Sequence, residues 1–219
     1  VAAVFVEPHR WEPVDVAWLQ SLRDFCDAHG ALLVFDEMIY GGRWALGGAT
    51  EYFGVTPDLA CFGKAIGNGA PIACVVGHTV LAQHGELVSG TYSGDVASLA
   101  AVVETLKIYQ HEAVVETLWK RGRQLRRGLL EAANLYDVTN IHSYTVSCEG
   151  MPVHQRLRFE TPEEGRRFAA AMASHGVLWH PDVVNVSAAH TEADIERVVE
   201  AAILSMTEIA RDGESTVRA

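Results

Sequence analysis

The sequence has little positive charge and no apolar run long enough to cross a membrane. Its 219 residues carry a formal net charge of -11. Because nucleic-acid affinity rests largely on Lys and Arg contacts to phosphates, this balance argues against a nucleic-acid-binding protein. No segment approaches the roughly 18 apolar residues of a membrane span, and residues 1–6 lack the basic leader of a signal peptide. We therefore expect a cytoplasmic protein that binds neither nucleic acid nor membrane.

Metal-type clusters of cysteine and histidine are also lacking. The four cysteines are scattered through apolar segments, and the ten histidines show no ligand spacing. Paired cysteines or closely spaced Cys and His residues are the usual signature of a structural metal site. The sequence therefore predicts no metal site, and it predicts cysteines that are buried, reduced thiols.

The first half of the chain alternates short apolar runs with amphipathic segments. A helix is predicted over residues 14–29, closed by Gly30, with further helices over 97–109 and 114–130. A glycine-rich loop at 41–48 leads into a short helix ending near Gly54. Interleaved strands and helices are typical of a mostly parallel α/β sheet. The predicted strands are residues 3–6, 31–36, 59–62 and 72–76.

After about residue 134 the pattern changes to strands and helices in runs, which indicates a separate α+β lobe. We expect domains at residues 1–133 and 134–219. Thr191 with Asp194 reads as a capping box at the start of the last helix, and the basic cluster at 120–127 reads as a solvated helix face. The predicted strands are 138–139, 144–147, 155–159 and 184–187, and the predicted helices are 163–174 and 192–210.

Two strand ends carry the most informative residues. The apolar run at 32–35 ends in Asp36, and the run at 59–62 delivers Lys64 into a glycine-rich turn. The carboxyl ends of parallel strands share one edge of an open α/β sheet, which is where such sheets place their chemistry. One buried acid and one lysine at that edge suit pyridoxal 5'-phosphate (PLP). The lysine holds the aldehyde as a Schiff base, and the carboxylate keeps the pyridine nitrogen protonated.

Asp36 and Lys64 also allow other interpretations. A lone lysine in a loop is more often simply solvated, and an acid at a strand end is often a helix cap or a structural ion-pair partner. A nucleotide-binding P-loop would need glycine five residues before the Gly-Lys pair and Ser or Thr after it. Asp58 and Ala65 occupy those positions, so that motif fails.

Several segments resemble the class III aminotransferases, which include the glutamate-1-semialdehyde aminomutases. The clearest are Phe-Asp-Glu-Met at 35–38, Phe-Gly-Lys-Ala-Ile-Gly-Asn-Gly at 62–69 and Gly-Thr-Tyr-Ser-Gly at 90–94. The resemblance runs from about residue 1 to about 206. It implies a fold-type I PLP-dependent transferase, represented here by part of the large mixed, mainly parallel-sheet domain and the small C-terminal α+β domain. The remaining matching segments are 42–43, 53–59 and 185–195.

The resemblance also implies roles for particular residues at the cofactor. Lys64 would carry PLP and Asp36 would hold its ring nitrogen. Met38 stands where the family usually has Val or Ile against the ring face, a contact that a thioether can also make. Thr91 would reach the cofactor phosphate of the neighbouring subunit in a homodimer. Asp95 stands where asparagine is usual, and its negative charge would oppose a phosphate.

Two further residues would face the substrate. Glu12 lies in a segment similar to a strand-end loop of the family in which a glutamate faces the substrate side. Arg43 matches the arginine of a Gly-Phe-Arg motif, with Gly42 replacing Phe. The competing interpretation for both is a structural ion pair.

The resemblance covers the C-terminal half of a class III aminotransferase chain. The phosphate cup and the aromatic residue that stacks on the cofactor belong to the N-terminal half, which we expect a separate chain to supply. A natural two-chain enzyme, a processed product and a shortened version of a longer protein would share this sequence. The implied function is PLP-dependent amino-group transfer between a small-molecule amino donor and a carbonyl acceptor, active only in the completed assembly. An aminomutase, a racemase and a non-catalytic assembly subunit remain alternatives.

Overall fold

Three parallel strands and one antiparallel strand form a four-stranded sheet in the first half of the chain. They follow the order β1-β2-β3-β4, so β1 and β4 are its edges. Phe35 of β2 lies beside Val6 of β1 and Ala60 of β3. The mostly parallel α/β sheet predicted from the sequence is confirmed. The strands are β1 (Ala3–Val6), β2 (Leu32–Asp36), β3 (Leu59–Gly63) and β4 (Ala73–Gly77).

The structure, a computed structural model, describes residues 1–9, 11–12, 14–83, 90–139 and 146–217. It divides into two compact units, Val1–Val115 and Glu116–Ala219, hereafter the first and second units. The boundary predicted from the sequence, between residues 133 and 134, falls inside a long helix, α5 (Val114–Thr139). That domain assignment stays a prediction.

Helix α1 begins and ends where local signals in the sequence place it. In α1 (Val16–His29), Asp15 accepts a hydrogen bond from the Ala17 amide at 2.9 Å, and Gly30 closes the helix at φ 62°. Glycine suits this left-handed position because it has no Cβ. The remaining helices are α2 (Gly48–Phe53), α3 (Thr79–Ala82) and α4 (Val96–His111).

The central strand β2 and helix α1 supply much of the core of the first unit. Leu33, Val34 and Phe35 are buried, as are Leu19 and Cys26 of α1. A fully buried side chain of this kind stabilises the fold by about 1.5–3 kcal/mol. The edge strand β4 differs, because all five of its residues are exposed although four of them are Ala, Cys or Val.

A polar link fixes β2 to the start of β3. Asp58 Oδ2 accepts hydrogen bonds from the Leu33 amide at 2.7 Å and from Arg23 Nη1 at 2.8 Å. Partial burial alone would raise the pKa of Asp58, but these two donors outweigh burial and hold the pKa below its ordinary value. The matching segment 53–59 therefore contains a residue whose contacts are structural.

The second unit contains an antiparallel three-stranded sheet and two further helices, so the predicted α+β lobe is confirmed. The strand predicted at residues 138–139 is wrong, because α5 continues through Thr139. Of the strand predicted at 144–147, residues 144–145 lie outside the described residues. The elements are β5 (Ser147–Met151), β6 (His154–Arg158), α6 (Pro162–Ser174), β7 (Val184–Asn185) and α7 (Glu192–Val217).

The basic cluster on α5 is partly structural, which corrects the solvated face predicted from the sequence. Arg126 donates to the Gly150 and Cys148 carbonyl oxygens at 2.6 and 2.8 Å. Lys120 and Arg121 both donate to Glu192 Oε1 at 2.6 Å. Helical spacing alone cannot distinguish a solvated face from one that supplies donors to a neighbouring strand.

The capping box predicted at the start of α7 is present. The Thr191 amide donates to Asp194 Oδ2 at 2.7 Å, and the Asp194 amide donates to Thr191 Oγ1 at 3.1 Å. These reciprocal bonds satisfy two amides that a helix start would otherwise leave without partners. Both residues therefore have the structural role expected of them.

Across the described part of the chain, no helix combines the length and apolar character needed to cross a membrane. The same residues hold no group of three or more His, Cys, Asp or Glu side chains arranged for a metal ion. All four cysteines are free thiols. Cys26 is buried as predicted, whereas Cys74 is exposed because it lies on β4.

Candidate functional site

The ends of β2 and β3 bring the two main candidate residues to one edge of the sheet. Asp36, the last residue of β2, pairs with Cys61 of β3 in parallel register. The amide of the next residue, Glu37, donates to the Cys61 carbonyl oxygen at 2.9 Å. Lys64 directly follows β3. Asp36 and Lys64 therefore leave neighbouring parallel strands at the same edge, as the sequence predicted.

Lys64 is exposed and has an unusual backbone conformation, with φ at 50°. A left-handed conformation costs a residue with a side chain about 1–2 kcal/mol, and such strain is often found at functional sites. The chain has three lysines. Lys107 and Lys120 are paired with Glu104 and Glu192. Lys64 makes no ion pair with any described residue, so its amine is available to a ligand.

Asp36 is exposed, which corrects the buried acid expected from the sequence. Its Oδ1 accepts a hydrogen bond from the Met38 amide at 3.0 Å, which turns the chain away from the sheet. The three residues before it are buried, but β2 ends at Asp36 and no described element covers its carboxylate. Among the described residues it has no cationic partner, so its negative charge is available.

Met38 packs on the residue that precedes Lys64. A Cβ added to Gly63 would lie 2.5 Å from Met38 Cε and 2.9 Å from Sδ, so the thioether packs directly against the Gly63 backbone. Met38 is half-buried. The structure thus groups Asp36, Met38 and Lys64, three of the residues selected from the sequence. The role of Met38 at a cofactor ring stays a prediction.

The loop after β2 passes close to the end of β3 and to α4. A Cβ on Gly41 would lie 2.4 Å from the Phe62 ring, and one on Gly42 would lie 3.3 Å from the Tyr109 hydroxyl. Arg43 is half-buried, and burial lowers the pKa of its guanidinium. Burial raises the pKa of Tyr109, against the opposing effect of the Arg43 charge. Arg43 therefore lies in the loop next to the strand that delivers Lys64.

Aromatic rings give this loop a core of its own. Tyr40 and Trp44 stack with centroids 4.3 Å apart at 25°, and the His9 ring meets Trp44 edge-on at 5.4 Å. Tyr40 and Trp44 are 0% and 2% exposed. Trp44 also meets Phe53 of α2 at 5.4 Å. Stacked and edge-on pairs add to burial, so the segment that carries Arg43 is held on both sides.

Glu37 is the residue of this region that sequence reasoning missed. It is 1% exposed, and its Oε1 accepts hydrogen bonds from the Ala49 and Thr50 amides at 2.7 and 3.3 Å. Burial raises its pKa, the two amide bonds oppose that shift, and the charge of Asp36 adds to it. Its position directly after Asp36 was visible in the sequence, but its inward direction depends on a loop that closes 12 residues later.

Thr91 and Glu12 lie apart from this group in their contacts. Thr91 is exposed in the turn that precedes α4, and Glu12 is exposed after β1. Neither donates to or accepts from Asp36, Met38 or Lys64 within the described residues. Asp95 begins α4, where its Oδ2 accepts from the Ser98 amide at 2.8 Å. Hydrogen bonding from Ser98 lowers the pKa of Asp95, so this carboxylate is a helix cap.

The chemistry of the exposed groups fits PLP. The Lys64 amine and the Asp36 carboxylate leave adjacent strand ends, and neither has an ionic partner in the part of the chain that the structure describes. The aldehyde of PLP can form a Schiff base with the amine, and the protonated ring nitrogen can pair with the carboxylate. Met38 packs against Gly63, the residue before Lys64, so the thioether lies beside the point where the chain leaves β3.

The family model for class III aminotransferases, "Aminotransferase class-III", matches residues 1–201. The chain belongs to the class III aminotransferase family. This confirms the resemblance noted from the segments around Asp36 and Lys64. The family is PLP-dependent, in agreement with the groups present at the sheet edge.

Curated class III relatives are named glutamate-1-semialdehyde 2,1-aminomutases. The protein of Desulforamulus reducens is 35% identical over a 241-residue alignment that covers 97% of this chain and 54% of that protein. The protein of Syntrophobacter fumaroxidans is 37% identical over a 207-residue alignment that covers 84% of this chain and 46% of that protein. The chain therefore spans about half the length of the curated relatives that it matches.

Two solved structures share the fold of this chain. The FumI protein of Sphingopyxis sp. MTA144, in its PLP internal aldimine form, is 29% identical with a TM-score of 0.86, covering 97% of this chain and 53% of that one. A transaminase with PLP bound is 21% identical with a TM-score of 0.83, covering the same shares. Fold-type I architecture is thereby confirmed for this chain.

Proposed function

We propose that this chain is the lysine-bearing half of a PLP-dependent amino-group transferase. The observation that carries the proposal is the shared sheet edge. Asp36 and Lys64 are exposed there at the ends of two paired strands, and neither has an ionic partner among the described residues. The donor would be a small amine or amino acid and the acceptor a carbonyl compound. A non-catalytic subunit would have no need to keep both groups available.

PLP, when bound, supplies an electron sink that stabilises negative charge at the carbon next to the amino group. Lys64 Nζ is the amine that would hold the cofactor aldehyde and later move a proton at the substrate carbon. Asp36 would keep the ring nitrogen protonated through its carboxylate. Met38 would exclude water from one side of this edge. Arg43 and Glu12 would bind the charged ends of the substrate.

The rest of the site would come from the part of the relatives that this chain does not span, present as a second segment or a separate chain. It would supply the phosphate cup and a stacking aromatic ring. The exposed edge strand β4 supports this proposal, because an uncovered apolar edge strand promotes unwanted pairing unless another segment lies on it. Val75 and Val76 of β4 are 63% and 48% exposed.

A homodimer is part of the same proposal. The exposed face of α4 carries Val96, Leu99, Val103 and Leu106, which recur at helical spacing. An apolar stripe of this kind is typical of a protein interface. In the dimer, Thr91 just before α4 would contribute its hydroxyl to the phosphate site of the neighbouring subunit. The four free thiols fit a reducing, cytoplasmic location.

Intramolecular transfer is a second candidate, favoured by the relatives that are named aminomutases at 35–37% identity. An aminomutase returns the amino group to the same carbon skeleton and needs no separate acceptor. A transaminase needs two substrates. The residues at the sheet edge serve both reactions, and a racemase as well, so an assay must separate them.

The test is a cofactor and substrate assay on the chain, alone and mixed with the complementary half of the Desulforamulus reducens aminomutase. PLP addition should give a visible absorbance band in the mixture, at cofactor concentrations far below those the chain alone requires. With L-alanine and a keto acid, a transaminase releases pyruvate. With glutamate 1-semialdehyde alone, an aminomutase forms the isomer whose amino group has moved from carbon 2 to carbon 1. Tight binding and transamination by the chain alone would contradict the need for a completing half, and no band in either sample would contradict the function.

A further inference from the structure

Asp36 and Glu37 are adjacent carboxylates that point in opposite directions. Asp36 is exposed at the end of β2, whereas Glu37 is almost fully buried. Burying a carboxylate is costly unless hydrogen bonds compensate for the loss of water. The proposed chemistry uses Asp36 and leaves Glu37 without a role, so its burial needs its own explanation.

Glu37 acts as the N-terminal cap of a helix that lacks a capping side chain. The cap position of α2 is Gly47, which offers no side-chain acceptor. Glu37 Oε1 takes that place by accepting from the amides of Ala49 and Thr50. A carboxylate at a helix start is favoured by the helix dipole as well as by the bonds themselves. The cap therefore comes from the strand that carries Asp36.

The packing at Gly48 shows that the fit is close. Gly48 has φ at 67°, and a Cβ there would lie 2.5 Å from Glu37 Oε2. That oxygen is buried and has no hydrogen-bond partner among the described residues. A second bond also anchors the loop, since the Gly41 amide donates to the Glu37 carbonyl oxygen at 2.8 Å. Glu37 thus contacts both the beginning and the end of the loop that carries Arg43.

We propose that Glu37 is a positioning residue, which fixes the loop of residues 38–47, and with it Arg43, to the strand end that presents Asp36. The tether is the pair of hydrogen bonds that the Ala49 and Thr50 amides, at the start of α2, donate to one carboxylate oxygen of Glu37. It keeps the substrate-side loop in register with the sheet edge. The kinetic consequence rests on the proposed function, whereas the tether itself does not.

The first test measures the tether without any cofactor. In Glu37→Ala, hydrogen exchange at the Ala49 and Thr50 amides should become about tenfold faster or more, while β2 and α1 keep their protection. The matched control is Glu51→Ala, because exposed Glu51 accepts from the Gly47 amide at 2.7 Å on the outside of the same helix. Unchanged exchange at Ala49 and Thr50, or faster exchange spread evenly over the first unit, would overturn the proposal.

The second test separates positioning from simple capping. Glu37→Ala combined with Gly47→Ser restores a local cap, so exchange at Ala49 and Thr50 should slow again. In the completed enzyme, KM for the amino donor should stay raised about fivefold or more in both variants, with kcat within about threefold. Recovery of KM by Gly47→Ser would show that capping alone matters, and would overturn the proposal. Should the alanine variant fail to fold, the same measurements are made on Glu37→Gln. Exchange at the Ala49 and Thr50 amides should then be about threefold faster than in the parent, and unchanged exchange would overturn the proposal.

Discussion

The charges proposed for function in the first unit and the bonded charges of the second unit have different surroundings. In the first unit the key charges, on Asp36 and Lys64, face solvent without ionic partners among the described residues, and the apolar strand β4 is uncovered. In the second unit the charges on Arg126 and Glu192 are bonded to neighbouring elements. Charges that only stabilise a fold are bonded within it. Charges kept available indicate a ligand.

Mutations of the available charges and of the bonded charges should have opposite effects. Removing an available charge in the first unit should change chemistry and leave stability nearly unaltered. Removing a bonded charge in the second unit should do the reverse. Each of the changes below tests one side of this contrast.

Lys64→Ala should have the largest effect. Without the amine, turnover of the completed enzyme should fall by more than about a thousandfold and the visible cofactor band should disappear. The melting temperature should stay within about 2 °C, because an exposed surface side chain contributes little to stability. Lys107→Ala is the matched control, since that lysine is exposed and paired with Glu104. A band that survives Lys64→Ala would exclude Lys64 as the site of attachment.

Asp36→Asn should retain the cofactor but lose most turnover. The neutral amide cannot keep the ring nitrogen protonated, so several kcal/mol of charge stabilisation is lost and turnover should fall about a hundredfold or more. Steady-state kinetics and a cofactor titration measure the two effects separately. Asp24→Asn provides a control on the exposed face of α1. Turnover within about threefold of the parent would assign Asp36 another role.

Arg126→Ala tests the opposite side of the contrast. It removes the donor to two carbonyl oxygens of β5, which should cost about 1–3 kcal/mol of the free energy of unfolding. Cofactor affinity per folded molecule should not change. Arg127→Ala, at an exposed position of the same helix, should cost less than about 0.5 kcal/mol. Chemical denaturation of the parent and the two variants measures these costs. Equal midpoints for the two variants would contradict the structural role of Arg126.

Lys64→Gly should inactivate the enzyme and also stabilise it. At φ 50° a glycine avoids the cost that the lysine backbone bears, so unfolding should become harder by about 1 kcal/mol. Lys64→Ala retains the same backbone strain and should not show this gain. Comparing the two denaturation curves isolates the strain. If glycine is no more stable than alanine, the left-handed conformation carries no cost.

The smallest effect should come from Glu192 and should depend on pH. Hydrogen bonds from Lys120 and Arg121 lower its pKa from 4.5 to about 2. A lowered folded-state pKa gives stability that is present above pH 4.5 and is lost as pH falls toward 2. Because Glu192 is exposed, the effect is small. The parent should melt slightly above Glu192→Gln at pH 7, with the gap closing below pH 4. A gap independent of pH would exclude this ion pair as its cause.

Local signals in the sequence were enough for the frame of the fold. The strand at residues 3–6 and the glycine end of α1 were predicted correctly, because a short apolar run and a left-handed cap act locally. Val138 and Thr139 were predicted as a strand since β-branched residues favour one. The helix that begins at Val114 overrides that local preference, because extending a helix is easier than starting one.

The candidate site was only partly readable from the sequence. The spacing of Asp36 and Lys64 was enough to place both at one sheet edge, since parallel strands end together. The exposure of Asp36 depends on what covers the end of β2, which no local pattern records. The inward direction of Glu37 depends on contact with Gly48, and the φ of Lys64 depends on the turn after β3. These are tertiary properties.

Locating the lysine that binds the cofactor tests the proposed role of Lys64 without any assay of turnover. The completed enzyme, loaded with PLP, is reduced with borohydride and digested, and the pyridoxyl group is assigned by mass spectrometry. The chain offers three lysines, at 64, 107 and 120. Lys64 should carry the label, with Lys107 and Lys120 unmodified. Label on either of those two residues with Lys64 unmodified would contradict the proposed role of Lys64.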